Sequence, residues 1–326
     1  MAARGRMPGE FVAIARYFAP LATHPGAFGL KDDLAWLTPR AGRRIVLKTD
    51  AIVVGVHTLT GDPPDLIARK ALRVNLSDLA GKGARPLGYM LALILPEDTK
   101  EAWLARFAAG LAADQKIFGL PLLGGDLTRT PGPATISITA IGEAQPGRPL
   151  LRAGAKRGDA VFVSGTIGDA ALGLLALRGK LKGLSAHHRR YLAGRYHLPE
   201  PRVALGRDIA RLASAAMDVS DGLVADLGHI CETSRCGAEI DLAAVPASPA
   251  AKAAGDRHAL LRITGGDDYE LLFTAPAKAE SRLRAIARRA GVPITRIGHI
   301  VTRPGVRVLA PDGGIVPVRA GGWEHF

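Results

Sequence analysis

Apolar residues change their spacing repeatedly along the first half of this chain. Residues 10–22, EFVAIARYFAPLA, carry the mixed faces of an amphipathic opening helix. RRIVLKTDAIVVGVHT, residues 43–58, alternates as a strand, with β-branched residues on both sides of Thr49–Asp50. From Asp65 the period lengthens through Leu66, Ala68, Leu72 and Leu76, which predicts a helix ending at Gly81–Lys82–Gly83. Tyr89 to Leu95 reads as an apolar strand stopped by Pro96, residues 98–118 as a helix, and Ala134 to Glu143 as another strand. Between them, Leu120 to Leu123 enters the turn Gly124–Gly125–Asp126. Strands alternating with helices predict an α/β or α+β domain.

The second half repeats the alternation more loosely. Strands are expected at 160–164, 216–219, 237–242, 270–274 and 292–301, and helices at about 165–177, 202–213, 223–234 and 277–290. Residues 185–200, with His187, His188 and His197, read as a basic loop, and 246–262 carry no clear period. The Pro-, Gly- and Arg-containing connection at residues 142–159 places a boundary near 145. Two domains, 1–145 and 146–326, follow, with no short solenoid repeat.

Composition narrows the class. At 326 residues and 48% hydrophobic content the chain can bury substantial cores, built from aliphatic residues because aromatics are only 5%. The net charge of +13 suits a partner rich in phosphate, whether nucleic acid, nucleotide or phosphorylated metabolite. Basic residues are dispersed and not interleaved with aromatics, which argues against a single-strand stacking groove. Cys231 and Cys236 are expected on one helix, too few for a cysteine metal site and suited to a reducing compartment. Residues 1–8 lack the apolar run of a signal peptide, and no stretch is long enough to span a membrane. A cytoplasmic enzyme is the expectation.

The chemistry lies in aspartates at the junctions of apolar elements: GLKDD (29–33), LKTD (47–50), NLSDL (75–79), LLGGDLTR (122–129), MDVSDG (217–222) and ITGGDDYELLF (263–273). Carboxylates at strand and loop ends hold hard cations through oxygen, and magnesium offsets charge during phosphoryl transfer. Taken singly, an aspartate is more often a turn or helix-capping residue than a ligand. The pairs Asp32–Asp33 and Asp218–Asp221, beside Gly or Ser, weigh more. Paired glycines at 124–125 and 265–266 let backbone approach phosphate or simply turn tightly. SGTIGD, 164–169, offers Thr166 and following amides to a phosphate, or is a turn alone. Arg152 is either a phosphate clamp or a surface arginine, and His57 either a phosphate contact or a fold hydrogen bond. No GxxxxGK[ST] run is present, so a P-loop is not indicated.

In combination, GEFVAIARYF, KTDAIVVGVH, ARKALRVNLSDLAGKGARP, LLGGDLTR, SGTIGDAALGL, MDVSDGLVADLGHI, GGDDYELLF and the C-terminal GWEHF resemble the thiamine-monophosphate kinase family over nearly the whole chain. The resemblance implies an aminoimidazole-ribonucleotide-synthetase-like fold of two mixed α/β domains. The first would pair its sheet with that of a second copy in a homodimer, and both halves would line the active cleft. It implies the reaction ATP plus thiamine monophosphate to ADP plus thiamine diphosphate, by direct in-line attack of the acceptor phosphate, assisted by several Mg2+ ions. No specific nucleic acid and no membrane is expected as a partner. Carried over by motif, Asp33, Thr49, Asp50, Asp78, Asp126, Asp218 and Asp221 form the metal set, with Asp32 in support. Asp78, Asp218 and Asp221 carry the catalytic burden. Arg152 and Ser220 would contact the ATP phosphates, and His57, Asp267 and Trp323 the acceptor.

Three positions depart from the pattern. Lys31 stands where glycine is usual before the paired aspartates. Lys48 replaces a small hydroxyl residue before Thr49–Asp50, which removes any side-chain oxygen there. Asp267 shortens the glutamate of GGEDYEL. Two relatives in chemistry, aminoimidazole-ribonucleotide synthetase and selenophosphate synthetase, share the broader resemblance; the N- and C-terminal motifs favour the kinase, and no cysteine lies near the first acidic segment.

Overall fold

A computed structural model describes residues 7–146 and 150–318. Its contacts divide the chain into two units, Met1–Leu79 with Arg85–Pro146, and Ala80–Ala84 with Gly147–Phe326. Both are mixed α/β, as expected from the alternating periods.

The first unit holds a four-stranded sheet in the order β1-β4-β2-β3, formed by β1 (Arg44–Val53), β2 (Arg85–Pro96), β3 (Leu122–Thr130) and β4 (Thr135–Ala144). Its helices are α1 (Glu10–Ala13), α2 (Pro64–Gly81) and α3 (Glu101–Phe118). β2 and β3 run parallel, joined through α3, as a parallel crossover requires. Gly119 ends α3 in the left-handed conformation, φ 64°, and donates its N–H to the Gln115 carbonyl. The alternation of β2 buries Tyr89, Leu91, Leu93 and Leu95, while Ile67, Leu72 and Leu76 of α2 and Leu104, Phe107 and Leu111 of α3 are buried as well. Asp114 of α3, fully buried, ties the two helices by ion pairs to Arg69 at 2.8 Å and Arg73 at 2.7 Å.

The second unit carries a seven-stranded sheet, β11-β10-β7-β9-β5-β8-β6. Its strands are β5 (Asp159–Ser164), β6 (Ala215–Asp218), β7 (Gly237–Asp241), β8 (Leu271–Pro276), β9 (Ile294–Val301), β10 (Gly305–Leu309) and β11 (Ile315–Val316). Its helices are α4 (Asp169–Leu177), α5 (Ala186–His197), α6 (Val203–Ile209), α7 (Leu223–Ser234), α8 (Pro249–Ala253), α9 (Ala259–Thr264) and α10 (Glu280–Ala290). Val161, Val163 and Leu272 join one core cluster with Leu223, Leu227 and Ile230 of α7, and Phe162 and Phe273 join another with Leu283 and Ile286 of α10. Successive strand residues therefore serve opposite faces of a sheet packed on both sides.

Several elements differ from the sequence expectation. The opening helix holds α-geometry for one turn, widens to a π-turn over Ile14–Phe18 and tightens at Ala19–Leu21, where Pro20 removes a donor. β1 ends at Val53, because residues 54–58 turn back on themselves. β3 does not stop at Leu123 but runs through Gly124–Gly125–Asp126, paired to β2. Gly125 makes that possible: a Cβ there would lie 1.8 Å from the Leu91 carbonyl oxygen. The basic stretch at 185–200 is helical over Ala186–His197, started by Ser185, whose hydroxyl accepts the His188 N–H. Only Cys231 lies on α7; the helix ends at Ser234, Arg235 takes φ 56°, and Cys236 donates its N–H to the Cys231 carbonyl.

Candidate functional site

The acidic segments fall into three groups. In the first unit, strand alternation puts Lys48 and Asp50 on one face of β1. There the Lys48 ammonium lies 3.0 Å from an Asp50 oxygen and 3.0 Å from an Asp78 oxygen of α2. Burial, opposed by Lys48 and reinforced by Asp78, raises the Asp50 carboxyl above its ordinary value. Thr49 points the other way. Its hydroxyl donates to the Ile138 carbonyl at 3.2 Å and accepts from Thr139 at 3.1 Å, so its side chain does not join Asp50 and Asp78.

Asp32, Asp33 and Asp126 line a second place in the same unit, a cavity of about 250 Å³ floored by Leu91, Leu93 and the Gly124–Gly125 backbone. Phe28 at φ 49°, Gly29 at φ 63° and Leu30 at φ 58° turn the chain into Asp32–Asp33 through left-handed backbone that is unusual for bulky residues. Lys31 is exposed. Asp126 and Asp50 are not neighbours: β4 and β2 lie between their strands, about 14 Å at ~4.8 Å per strand.

The third group belongs to the second unit and starts where β6 ends. Asp218, nearly buried, closes the strand, and Ser220, Asp221 and Gly222 form the turn into α7. Asp226, on the first turn of α7, accepts the backbone N–H groups of Ser220, Asp221 and Gly222 through one oxygen at 3.0, 3.1 and 3.1 Å. Its other oxygen is buried without a hydrogen-bond partner among the described residues. Burial first, then the neighbouring Asp221 and Asp218, pushes its carboxyl up to about 8. Asp221, Asp226 and His229 present ligand atoms within 4.8 Å of one another. An orphaned buried oxygen amid like charges fits a hard divalent cation bound through oxygen. The Asp32–Asp33–Asp126 cavity offers the same donor type, whereas Asp50 and Asp78 already share an ammonium.

The remaining candidates are distributed unevenly. Asp267, at φ 74°, donates its N–H to the Ser220 carbonyl at 2.8 Å, so it lies against the SDG turn. That approach requires Gly266, whose added Cβ would meet the Ser220 oxygen at 2.1 Å. Arg152 is exposed, one residue beyond Leu151, whose carbonyl accepts the Ala216 N–H of β6. His57 accepts the Val53 N–H at Nδ1, 2.9 Å, within the turn after β1; a neutral ring so engaged carries its proton on Nε2. Trp323 lies outside the described residues.

SGTIGD is committed internally. Asp268, fully buried, accepts the Gly168 and Ala170 N–H groups at 2.6 and 3.1 Å, and the Thr166 hydroxyl donates to Asp169 at 2.5 Å. The amides at 168 and 170 therefore serve a carboxylate of the chain, and the turn is structural. Asp226 and His229 were missed because α7 reads as an ordinary amphipathic helix. Their i, i+3 spacing within MDVSDGLVADLGHI was the available signal.

Residues 31–144 match the family "AIR synthase related protein, N-terminal domain" and residues 156–310 its C-terminal counterpart. The thiamine-monophosphate kinase of Caulobacter vibrioides is 44% identical over 326 residues, 98% of this chain and 91% of that protein. The crystal structure of thiamine-monophosphate kinase from Stenotrophomonas maltophilia is 41% identical, with TM-score 0.81 over 88% of this chain and 91% of that one. The solved complex of AaThiL with AMPPCP and TMP is 32% identical, with TM-score 0.76 over 92% and 97%. No helix among the described residues is long and apolar enough to cross a membrane.

Proposed function

Since the chain belongs to the thiamine-monophosphate kinase family, with its AIR-synthase-type fold, we propose that its acidic groups hold magnesium for direct, in-line transfer of the ATP γ-phosphoryl group. The enzyme is an ATP-dependent kinase, and thiamine monophosphate is its acceptor. The observation that carries the magnesium reading is the buried Asp226 oxygen, which has no hydrogen-bond partner among the described residues, beside Asp221 and Asp218.

Asp218 and Asp221 would hold the cation in the second unit, with Asp226 fixing the turn that carries Asp221. Asp33 and Asp126, supported by Asp32, would hold it in the first, and Asp50, Asp78 and the Thr49 backbone belong to the same proposed array. Bound magnesium would neutralise phosphate charge and align the oxygens for displacement. The chain's own residues do the rest. Arg152 and the Ser220 hydroxyl bind ATP phosphates by charge-assisted hydrogen bonds, and His57, Asp267 and Trp323 orient the acceptor. No side chain is needed as a covalent nucleophile, because a phosphate oxygen of the acceptor attacks directly.

We also propose a cytoplasmic homodimer built on the first unit's sheet. The face opposite buried Ile52, Leu91 and Ile136 exposes Leu47 by 67%, Ile45 by 42% and Met90 by 41%. Such an apolar row is what a second copy would cover.

The test incubates purified protein with ATP, magnesium and thiamine monophosphate, and measures thiamine diphosphate by separation and mass. Product matched by ADP, and absent without acceptor or metal, is the expected result. A folded, nucleotide-binding protein that makes none removes the assignment.

A further inference from the structure

Asp50 and Asp78 were assigned to the metal array by motif, yet a cation of the chain already sits between them. Lys48 reaches one oxygen of each at 3.0 Å. The geometry follows from sequence: Lys48 and Asp50 are two apart on a strand, hence on one face, and α2 brings Asp78 to that face. The ammonium is half-buried and raised above its ordinary pKa by both carboxylates, against the cost of burial.

We propose that the Lys48 ammonium permanently replaces one divalent cation of the array, so that this chain binds one Mg2+ fewer than its aspartates would allow. This rests on the magnesium reading above. A magnesium ion binds carboxylate oxygen at about 2.0–2.1 Å in near-octahedral geometry. To bridge Asp50 and Asp78 it would have to enter the space between them and lie against the ammonium. Two cations cannot share that position, and the tethered one is present at high effective concentration. Lysine is a compact point charge with three donors, suited to bridging two carboxylates that lie on different elements.

Metal stoichiometry tests this directly. Mn2+ is titrated into the full-length wild type, Lys48→Ser, Lys48→Met and Lys48→Arg, and free ion is read by electron paramagnetic resonance, with and without a non-hydrolysable ATP analogue. Circular dichroism and melting confirm the fold of each variant. Lys48→Ser and Lys48→Met should each take up one more Mn2+ per chain than wild type, and Lys48→Arg the wild-type number. Asp78→Asn in the Lys48→Ser background should lose the added ion. Equal stoichiometry and affinity in wild type and either folded neutral variant overturns the proposal. The kinase assay is read separately. A wild type that makes thiamine diphosphate while no added ion is found removes the lysine inference and leaves the reaction standing. An added ion with an inactive wild type supports the inference and removes the reaction.

Discussion

Asp226 accepts the backbone N–H of Asp221 at 3.1 Å, so the residue that orients the acidic turn is itself an acid buried behind it. The same oxygen holds the Ser220 and Gly222 amides. Asp226→Ala leaves three amides without that acceptor, and urea unfolding should show a loss of about 3 kcal/mol. Thiamine diphosphate formation should fall roughly 10- to 100-fold, as for other lost partners of metal ligands. Asp226→Asn keeps one carbonyl oxygen for the three amides. It should unfold near wild type at pH 7 while binding Mn2+ more weakly. Wild-type metal affinity in Asp226→Asn would show that the carboxylate acts on the turn alone.

In the first unit, Asp114 holds α2 and α3 together through Arg69 and Arg73 with no exposed surface of its own. Removing one partner of a buried ion network strands the other charges. Asp114→Ala should cost about 3–5 kcal/mol in urea unfolding. Asp114→Asn should cost less, since it keeps an acceptor for one guanidinium. An alanine variant with the wild-type midpoint would mean that water replaces the carboxylate there.

These relationships differ in how openly the sequence displays them. α3, β1, β2 and β4 follow from apolar period, because each buries one regular face; α2 and the strands β5, β6 and β8 are buried nearly throughout and follow from their run of apolar residues. The Thr49 hydroxyl was equally readable: adjacent strand residues face opposite ways, so Thr49 and Asp50 cannot both present side chains to one site. Asp226 was hidden, because a polar residue on an amphipathic helix resembles a solvent contact until the turn folds over it. The helix at 186–197 was hidden because its buried face is mainly Leu192 and Tyr196 among charged and polar neighbours. Lys48 was recognised as a departure from pattern, but its meeting with Asp78 depends on how α2 lies on β1, a contact no local spacing reports. Likewise, Asp267 meets Ser220 only because Gly266 admits the close approach of two loops.

Asp268 gives the protein a pH signature. Burial pushes its carboxyl up to about 8, against the opposing Gly168 and Ala170 amides. A carboxyl raised in the folded state keeps its proton there while the unfolded chain has released it above about 4. The native state thus holds the extra proton between about pH 4 and 8. The stability contributed is complete below the unfolded value and is lost as pH rises through the folded one. Relative to Asp268→Asn, wild type should lose about 1.4 kcal/mol per pH unit between pH 5 and 7. Urea unfolding of both proteins across that range measures the difference. A constant difference would place the native Asp268 pKa at its ordinary value.

Leu47 tests the proposed dimer. It stands on β1 opposite Ile141 of β4, on the exposed face of the sheet. Burying a leucine contributes about 1.5–3 kcal/mol, and a twofold interface counts the contact in both copies. A glutamate in its place loses that gain and sets a charge against an apolar partner. Leu47→Glu should therefore raise the dimer dissociation constant at least about 100-fold. Light scattering should give twice the chain mass for wild type and the single-chain mass for Leu47→Glu at micromolar concentration. The Asp50–Lys48–Asp78 group faces the other side of the same strand, so Mn2+ uptake by Leu47→Glu should match wild type. A wild type that runs as a monomer, or a Leu47→Glu variant that remains a dimer, would exclude this face as the interface.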